Sequence, residues 1–236
     1  MSKDEKFEGL IAEQLSAELP RGVVIGRQII VLEQTGSTND AISRVASTDG
    51  LPSIPEGLVV FAEHQTDGRG QRGNRWESAA GKGLWFSILL RPEIQLSDSG
   101  RLTIWGIEAV SDVIRSKFGL EPTIKLPNDV QLYGRKVSGV LVEMRAQEKA
   151  PHLAVVGIGI NVNQCRDDFP ANLQDRAISL AIALHRRVDR QDFAVALLRK
   201  LDLTYRERFP KAEAGFSSSP APTTTRDKHA AKFRMA

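Results

Sequence analysis

A chain of 236 residues, 41% apolar and 26% charged, has the size and composition of one globular domain with a short appendage. The net charge is only +3 and the basic residues are dispersed, which argues against nucleic acid as the main partner. No apolar run approaches the roughly 18 residues that span a bilayer, and a single cysteine excludes an internal disulfide framework. These features favour a cytoplasmic protein that binds small anionic ligands.

The first part of the chain predicts a short surface helix over residues 1–19 and a Val- and Ile-rich strand over residues 23–32. Residues 37–39, Ser-Thr-Asn, are strong N-cap residues in front of an apolar helical pattern. Such a cluster either caps the helix or binds a polar ligand, and the two roles are compatible because neighbouring residues can divide them. Residues 52–57 then predict a proline-punctuated loop.

Residues 58–62 and 83–90 predict two strands of one sheet. They are joined by the glycine/arginine loop, residues 67–76, Asp-Gly-Arg-Gly-Gln-Arg-Gly-Asn-Arg-Trp. Glycine lets backbone N–H groups approach and surround an anion, and the arginine fork fits carboxylate or phosphate oxygens. The loop therefore predicts a site for a small, highly charged ligand, with a solvated basic loop as the alternative.

The spacing Gly68-x-Gly70-x-x-Gly73 matches the dinucleotide-binding fingerprint, but that fingerprint requires a helix directly after the glycines. Residues 74–82 lack a helical pattern and lead into the next strand, which excludes a Rossmann domain. The P-loop sequence and the nucleophile elbow of serine hydrolases are absent as well. The four histidines have no metal-ligand spacing with Cys165, so no zinc-type site is predicted.

Residues 97–119 predict a long amphipathic helix that ends at Gly119. A short strand over residues 123–126 and a return over residues 130–133 follow, with a tight turn at residues 134–135.

Residues 137–144 and 153–162 predict a hairpin whose second strand carries Gly157 and Gly159. Alternating glycines leave one strand face bare, which is typical either of a ligand lying against the backbone or of a crowded sheet crossing.

Two closing helices are predicted over residues 177–185 and 192–209, and the low-complexity composition after Pro210 predicts a disordered tail.

Five blocks, in order, resemble the biotin protein ligases of the bacterial type, from about Glu33 to near Phe209. The blocks are Ser-Thr-Asn at 37–39, Gly-Arg-Gly-Gln-Arg-Gly-Asn-Arg-Trp at 68–76, Lys-Leu-Pro-Asn-Asp at 125–129, Arg-Lys-Val-Ser-Gly-Val-Leu-Val-Glu at 135–143, and Gly-Ile-Gly-Ile-Asn-Val-Asn at 157–163. The resemblance implies an α+β fold in which helices flank a mixed, largely antiparallel sheet, of the class II synthetase-like biotin/lipoate ligase type. We expect an N-terminal helical extension over residues 1–22, a catalytic domain over 23–209 and a disordered tail over 210–236, in which the usual C-terminal β-domain is not evident.

Members of this family activate biotin with ATP and Mg²⁺ as biotinyl-5′-AMP and pass it to a lysine of a biotin carboxyl carrier protein, as in acetyl-CoA carboxylase. The resemblance therefore implies biotin, ATP and a carrier as partners, with no DNA and no membrane, and it leaves a homodimer open. A bifunctional repressor would need a helix-turn-helix for which too few residues precede the first block. The alternatives are a non-catalytic biotin-binding remnant and a lipoate or octanoate transferase, whose glycine-rich signature would contain a histidine.

The resemblance also implies residue roles. The catalytic residues would be Arg69, Lys136 and Asp129. Arg69 and Lys136 would meet the biotin carboxylate and the α-phosphate, and Asp129 would orient the carrier lysine. The biotin side would comprise Ser37, Thr38, Asn39, Gln65, Gly68, Arg69, Gly70, Lys136, Gly139, Gly157 and Gly159. The ATP and adenylate side would comprise Arg69, Gln71, Arg72, Asn74, Trp76, Lys125, Asn128, Asp129 and Asn161. No protein ligands for a metal are identified.

Two positions depart from the family pattern. Gln71 stands where many relatives have arginine, and the loss of one charge-assisted donor should weaken retention of the adenylate. Leu126 follows Lys125 where tryptophan is usual, which removes aromatic packing beside the nucleotide.

Overall fold

The computed structural model describes residues 9–46, 54–147 and 151–211, and a seven-stranded sheet forms the centre of this part. The strands are β1 Gln28–Thr35, β2 Leu58–Gln65, β3 Gly83–Leu90, β4 Thr123–Lys125, β5 Asp129–Leu132, β6 Arg135–Arg145 and β7 Leu153–Asn161. Their order across the sheet is β1-β2-β3-β7-β6-β5-β4. Only β1 and β2 run parallel, and all other neighbours are antiparallel. The predicted mixed, largely antiparallel sheet is confirmed.

Helices flank this sheet, as predicted. They are α1 Ala12–Ala17, α2 Thr38–Ala46, α3 Gly100–Phe118, α4 Leu180–Leu184 and α5 Arg190–Arg208. None of the helices in the described segments is long and apolar enough to cross a bilayer.

Because side chains alternate along β7, the two faces of the sheet are built differently. Val156, Ile158 and Ile160 join the main core with α3 and α5, whose Trp105 and Phe193 are almost wholly buried. Leu153 and Val155 point the other way and belong to a smaller apolar cluster with Ile42 of α2. The next two residues on that second face are Gly157 and Gly159. One face is therefore filled by the core, and the other face is left bare toward the end of β7.

The predicted hairpin and the predicted strand pair on either side of the glycine/arginine loop are both confirmed. Helix α3 ends at Gly119, whose φ of 65° is left-handed as expected of a C-terminal glycine. The tight turn lies one residue earlier than predicted, because Tyr133 and Gly134 both have positive φ, of 51° and 72°.

The predicted strand over residues 23–32 is wrong at its start, because β1 begins only at Gln28. The backbone N–H groups of Val24 and Ile25 donate instead to the carboxylate of Asp202 on α5, at 2.7 and 3.0 Å. Gly26 then turns the chain with a φ of 91°. A buried acceptor far along the sequence thus replaces the sheet partner that the local pattern predicted.

The predicted helix over residues 177–185 also starts too early. Ala177 forms a bridge with Lys136 of β6, and Ile178 donates to the Lys136 carbonyl at 3.0 Å, so both residues are extended. Helix α4 begins after Ser179, whose hydroxyl accepts from the Ile182 N–H. Its short length follows from the preceding contact with the sheet.

The surface helix predicted over residues 1–19 is confirmed only as the six residues of α1, and it is not confined to the surface. Leu15 is fully buried in the main core, and Leu10 lies at its edge. Residues 1–8, the start of the predicted loop over 52–57, and the predicted disordered tail beyond residue 211 lie outside the described residues.

Replacing Asp202 by alanine is expected to lower the free energy of unfolding by about 2–4 kcal/mol, because two backbone donors would lose their buried acceptor. Chemical denaturation followed by circular dichroism measures this change. Glu121→Ala is the matched control, since it removes an exposed carboxylate that pairs with Arg115 and should cost about 0.5 kcal/mol or less. Equal losses in the two variants would contradict the prediction.

Candidate functional site

A cavity of about 40 Å³ lies on the bare face of the sheet, between the start of α2, the glycine/arginine loop and the hairpin of β6 and β7. It brings together twelve of the residues that the sequence predicted for a site. These are Ser37, Thr38, Asn39, Gln65, Arg69, Gly70, Trp76, Asn128, Lys136, Gly139, Gly157 and Gly159. Residues from all five sequence blocks therefore meet in one place.

The start of α2 is held by a buried chain of polar contacts. The Gln65 Oε1 atom accepts from the Thr38 N–H at 2.9 Å and from the Thr38 hydroxyl at 3.1 Å, and Gln65 Nε2 donates to Ser78 Oγ at 3.3 Å. Ser87 Oγ lies 2.7 Å from Thr38 Oγ1 and 2.6 Å from Asn39 Oδ1. Since these groups are buried and bonded to one another, they form a rigid polar wall.

Two serines contribute to this region in different ways. Ser37 begins α2, because its carbonyl accepts from the Ala41 N–H at 3.0 Å. Ser87 was not predicted, although it is fully buried. The signal for it was present, since it is the one hydroxyl within the apolar strand β3.

The glycine floor consists of Gly139, Gly157 and Gly159, of which Gly139 and Gly159 pair directly across the hairpin. A Cβ atom on Gly157 would lie 2.3 Å from Asn39 Oδ1, and one on Gly159 would lie 2.6 Å from Trp76 Cε2. The glycines thus make room for side chains of the protein itself. The crowding comes from Asn39 and Trp76 and not from a second sheet, and Trp76, predicted on the ATP side, lies on the glycine floor.

Trp76 also contacts Lys136, whose Nζ lies 5.0 Å from the centroid of the indole ring. The same ammonium group lies 2.6 Å from Asp129 Oδ1. The indole Nε1 of Trp76 is buried and has no hydrogen-bond partner among the described residues, so it remains available to a ligand acceptor. One cation is therefore fixed at the edge of the floor by a carboxylate and an aromatic face.

Arg69 is fixed by two carboxylates that the sequence reasoning missed. Its Nη2 atom lies 2.8 Å from Asp40 Oδ1 on α2 and 3.0 Å from Glu143 Oε2 on β6. The same Glu143 oxygen accepts from Asn39 Nδ2 at 2.9 Å. Glu143 ends the fourth sequence block, which was the available signal for it.

The remainder of the glycine/arginine loop borders an open cleft of about 560 Å³ against residues 141–143 of β6. Gly68, Gln71, Arg72 and Asn74 line this cleft and not the smaller cavity. Residues Gln71–Gly73 form a 3-10 turn in which Arg72 has a φ of 58°, and the Asn74 carboxamide donates to the Gln71 carbonyl. The predicted residues of the loop are thus divided between two adjoining spaces.

Three other predicted residues lie outside both spaces. Lys125 is exposed on the edge strand β4, and Asp129 is half-buried against Lys136. Asn161 is buried, donates to the Lys136 carbonyl at 3.4 Å and accepts from Gln164 at 3.0 Å. Asn128, by contrast, lines the cavity and donates to the Val140 carbonyl.

Two perturbed pKa values lie away from the cavity. Burial alone would raise the pKa of Asp168, but hydrogen bonds from Lys82 and Cys165 outweigh burial and hold this pKa below its usual value. Burial, with the neighbouring Glu56, raises the pKa of Tyr205 well above its usual value. Within the described part of the chain, no group of three or more histidine, cysteine, aspartate or glutamate side chains could hold a metal ion.

Residues 31–161 match the Biotin/lipoate A/B protein ligase family. The sequence is 38% identical over 184 residues to the bifunctional ligase/repressor BirA of Bacillus spizizenii, which covers 78% of this chain and 55% of that protein. It is 33% identical to the biotin–[acetyl-CoA-carboxylase] ligase of Mycobacterium tuberculosis, with 80% and 70% covered. Biotin protein ligase from Aquifex aeolicus, solved in complex with biotin and ATP, matches with a TM-score of 0.63 at 30% identity, covering 76% of this chain and 72% of that one. The chain spans about half the length of the Bacillus relatives.

Gly159→Ala is expected to displace the Trp76 indole, because the added methyl group would lie 2.6 Å from the ring. We expect a shift in tryptophan emission and a loss of about 1–3 kcal/mol in unfolding free energy, typical of overpacking. The emission shift should disappear when Gly159→Ala is made in a Trp76→Phe background. Gly100→Ala, where a Cβ meets nothing within 4 Å, is the control and should leave the emission unchanged.

Proposed function

The chain belongs to the biotin/lipoate A/B protein ligase family, and we propose that it activates biotin with ATP and transfers it to a lysine of a biotin carboxyl carrier domain. The observation that carries this proposal is the cavity in which Arg69 and Lys136 border the glycine floor and the buried polar wall. The relatives named as biotin ligases, and the Aquifex structure with biotin and ATP, support it.

In the first step a carboxylate oxygen of biotin attacks the α-phosphorus of ATP. The bond from the α-phosphorus to the bridging oxygen breaks, pyrophosphate leaves, and biotinyl-5′-AMP forms. Because two anions must meet, the chain needs fixed cations more than a nucleophilic side chain. Arg69 and Lys136 would supply these charges at the boundary between the biotin and nucleotide sides.

Biotin would lie beside the polar wall, with Thr38, Asn39 and Gln65 directing donors and acceptors at its ureido ring. The cavity of about 40 Å³ is far smaller than the roughly 300–1,000 Å³ of ordinary ligand sites. Admission of biotin therefore requires Trp76 to leave the glycine floor, after which residues 70–76 of the loop can close over the adenylate and exclude water from a hydrolysable anhydride.

In the second step the neutral amine of a carrier lysine attacks the acyl carbon, the acyl–phosphate bond breaks, AMP leaves, and the amine loses a proton. Asp129 is the proposed group for orienting this lysine. Asp129 also has a role before the carrier binds, because its carboxylate holds the Lys136 ammonium group at the cavity edge.

The residues present do not fit a dedicated magnesium site. Within the described segments no cluster of three potential ligands exists, and the carboxylates nearest the cavity are each paired with Arg69 or Lys136. Mg²⁺ commonly binds through substrate phosphates with few protein ligands, so it would accompany ATP.

The proposed partner is the carrier domain of an acetyl-CoA carboxylase, with the cytoplasm as the compartment. The alternative of a lipoate or octanoate transferase is disfavoured because the glycine/arginine loop contains no histidine. The alternative of a non-catalytic biotin-binding remnant predicts binding without release of pyrophosphate.

Incubation with ATP, Mg²⁺, biotin and a biotin carboxyl carrier domain tests the proposal. We expect the mass of one biotinyl group on one carrier lysine, together with biotin-dependent release of pyrophosphate. Replacing biotin by lipoate or octanoate should give no product. Biotin binding without pyrophosphate release would support the remnant instead.

Lys136→Ala is expected to lower the rate of adenylate formation by about 10²–10³-fold, the cost typical of removing one preorganised charge from a reacting centre. Pyrophosphate release at saturating biotin and ATP measures the effect. Lys117→Ala is the matched control, because it removes a lysine that pairs with Asp192 on the opposite side of the sheet. A rate near that of the wild type in Lys136→Ala would contradict the site assignment.

Gln71→Arg is expected to reduce escape of biotinyl-5′-AMP. Gln71 lies half-exposed in the loop beside the cavity, so a restored guanidinium should slow adenylate release severalfold, less than a buried contact would. Labelling of bystander lysines on an added inert protein measures the escape. Equal labelling by wild type and variant at matched rates of adenylate formation would refute the prediction.

A further inference from the structure

We propose that Glu143 and Asp40 form a carboxylate clamp that positions Arg69 for the anionic end of the ligand. This inference rests on the proposed function and adds two positioning residues to it, on β6 and α2. Both carboxylates hold the same guanidinium nitrogen, Nη2, at 2.8 and 3.0 Å.

The clamp occupies only one nitrogen of the guanidinium group. The Nε and Nη1 atoms of Arg69 donate to no other residue in the described segments, so three N–H donors remain available. Arg69 lines both the small cavity and the open cleft, which places those donors at the boundary where a carboxylate and a phosphate would meet. These N–H groups point in different directions, so Arg69 can still donate single charge-assisted hydrogen bonds to more than one anionic oxygen.

Glu143 also links Arg69 to the polar wall. Its Oε2 atom accepts from Arg69 and from Asn39 Nδ2, and the Asn39 carboxamide lies over Gly157 with its oxygen on Ser87. One carboxylate oxygen thus sets the position of the loop relative to the rigid start of α2. Without it, the loop would be restrained near Arg69 by Asp40 and by the bridge between Arg69 and Arg75.

The substitution Glu143→Gln separates the effect of the clamp on Arg69 from the effect of the polar wall. The glutamine oxygen can still accept from Asn39, whereas the charge that attracts Arg69 is lost. Asp40→Asn weakens the other side of the clamp and does not touch Asn39. Glu77→Gln is the matched control, because it removes an ion pair with Arg75 at the end of the same loop and does not reach Arg69.

The first measurement is trypsin cleavage of the ligand-free full-length protein within the loop, which contains Arg69, Arg72 and Arg75. We expect Glu143→Gln and Asp40→Asn to be cleaved about fivefold faster than wild type, and Glu77→Gln at the wild-type rate. The second measurement is steady-state adenylate formation, in which the KM for biotin should rise about tenfold in both clamp variants while kcat changes less than twofold. A residue that only stabilises the fold would lower the melting temperature without this division between KM and kcat.

Wild-type cleavage and wild-type KM in Glu143→Gln would overturn the clamp. Faster cleavage with an unchanged KM would overturn it too, because the carboxylates would then restrain the loop without placing Arg69 for the ligand. The proposed function fails separately, if wild-type protein forms no adenylate from biotin and ATP.

Discussion

The absence of side chains along one short stretch of a central hairpin is the constraint on which the site depends. Gly139 and Gly159 face each other across β6 and β7, with Gly157 two residues before Gly159 on the same face. A methyl group at any of these positions would lie within 3 Å of another side chain. The neighbouring positions on β7 carry Val156 and Ile158, which build the core on the opposite face. One strand therefore anchors the domain with one set of residues and opens a site with the other.

This constraint explains why distant elements converge. Asn39 from α2 and Trp76 from the glycine/arginine loop can approach the sheet closely only where the glycines leave room. Once there, Asn39 contacts Glu143 and Trp76 contacts Lys136, so each contact with the floor also fixes a charged group of the site. The polar wall adds rigidity, because its hydrogen bonds are buried and join α2 to β2 and β3. The side chains that pack on the bare strand are thus the same ones that hold the charged groups in place.

Sequence patterns predicted the features that local chemistry determines. The hairpin, the strands around the loop and the end of α3 at Gly119 were correct, because alternation, glycine and helical periodicity act over a few residues. The late start of β1 and the short α4 were missed, since Asp202 and Lys136 act on them from far along the chain. Most of the cavity residues were found through the five blocks. Their partners Asp40, Ser87 and Glu143 were not, because each lies in an ordinary helix or strand and acquires its role only from contacts across the fold.

Because the protein's own side chains already occupy the site, a ligand must displace some of them in order to bind. Its affinity then reflects the difference between the contacts that it makes and the contacts that it replaces. Under the proposed function, the biotin bicycle would replace part of the Trp76 indole on the glycine floor, so the two buried apolar surfaces largely offset each other. The gain must then come from polar groups that do not move, namely Thr38, Asn39 and Gln65, and from the donors of Arg69. The conformational entropy of these groups is lost on folding rather than on binding, because hydrogen bonds hold them before the ligand arrives. Discrimination among ligands of similar size therefore falls to the wall and the clamp, whereas the floor determines only which shapes can be admitted.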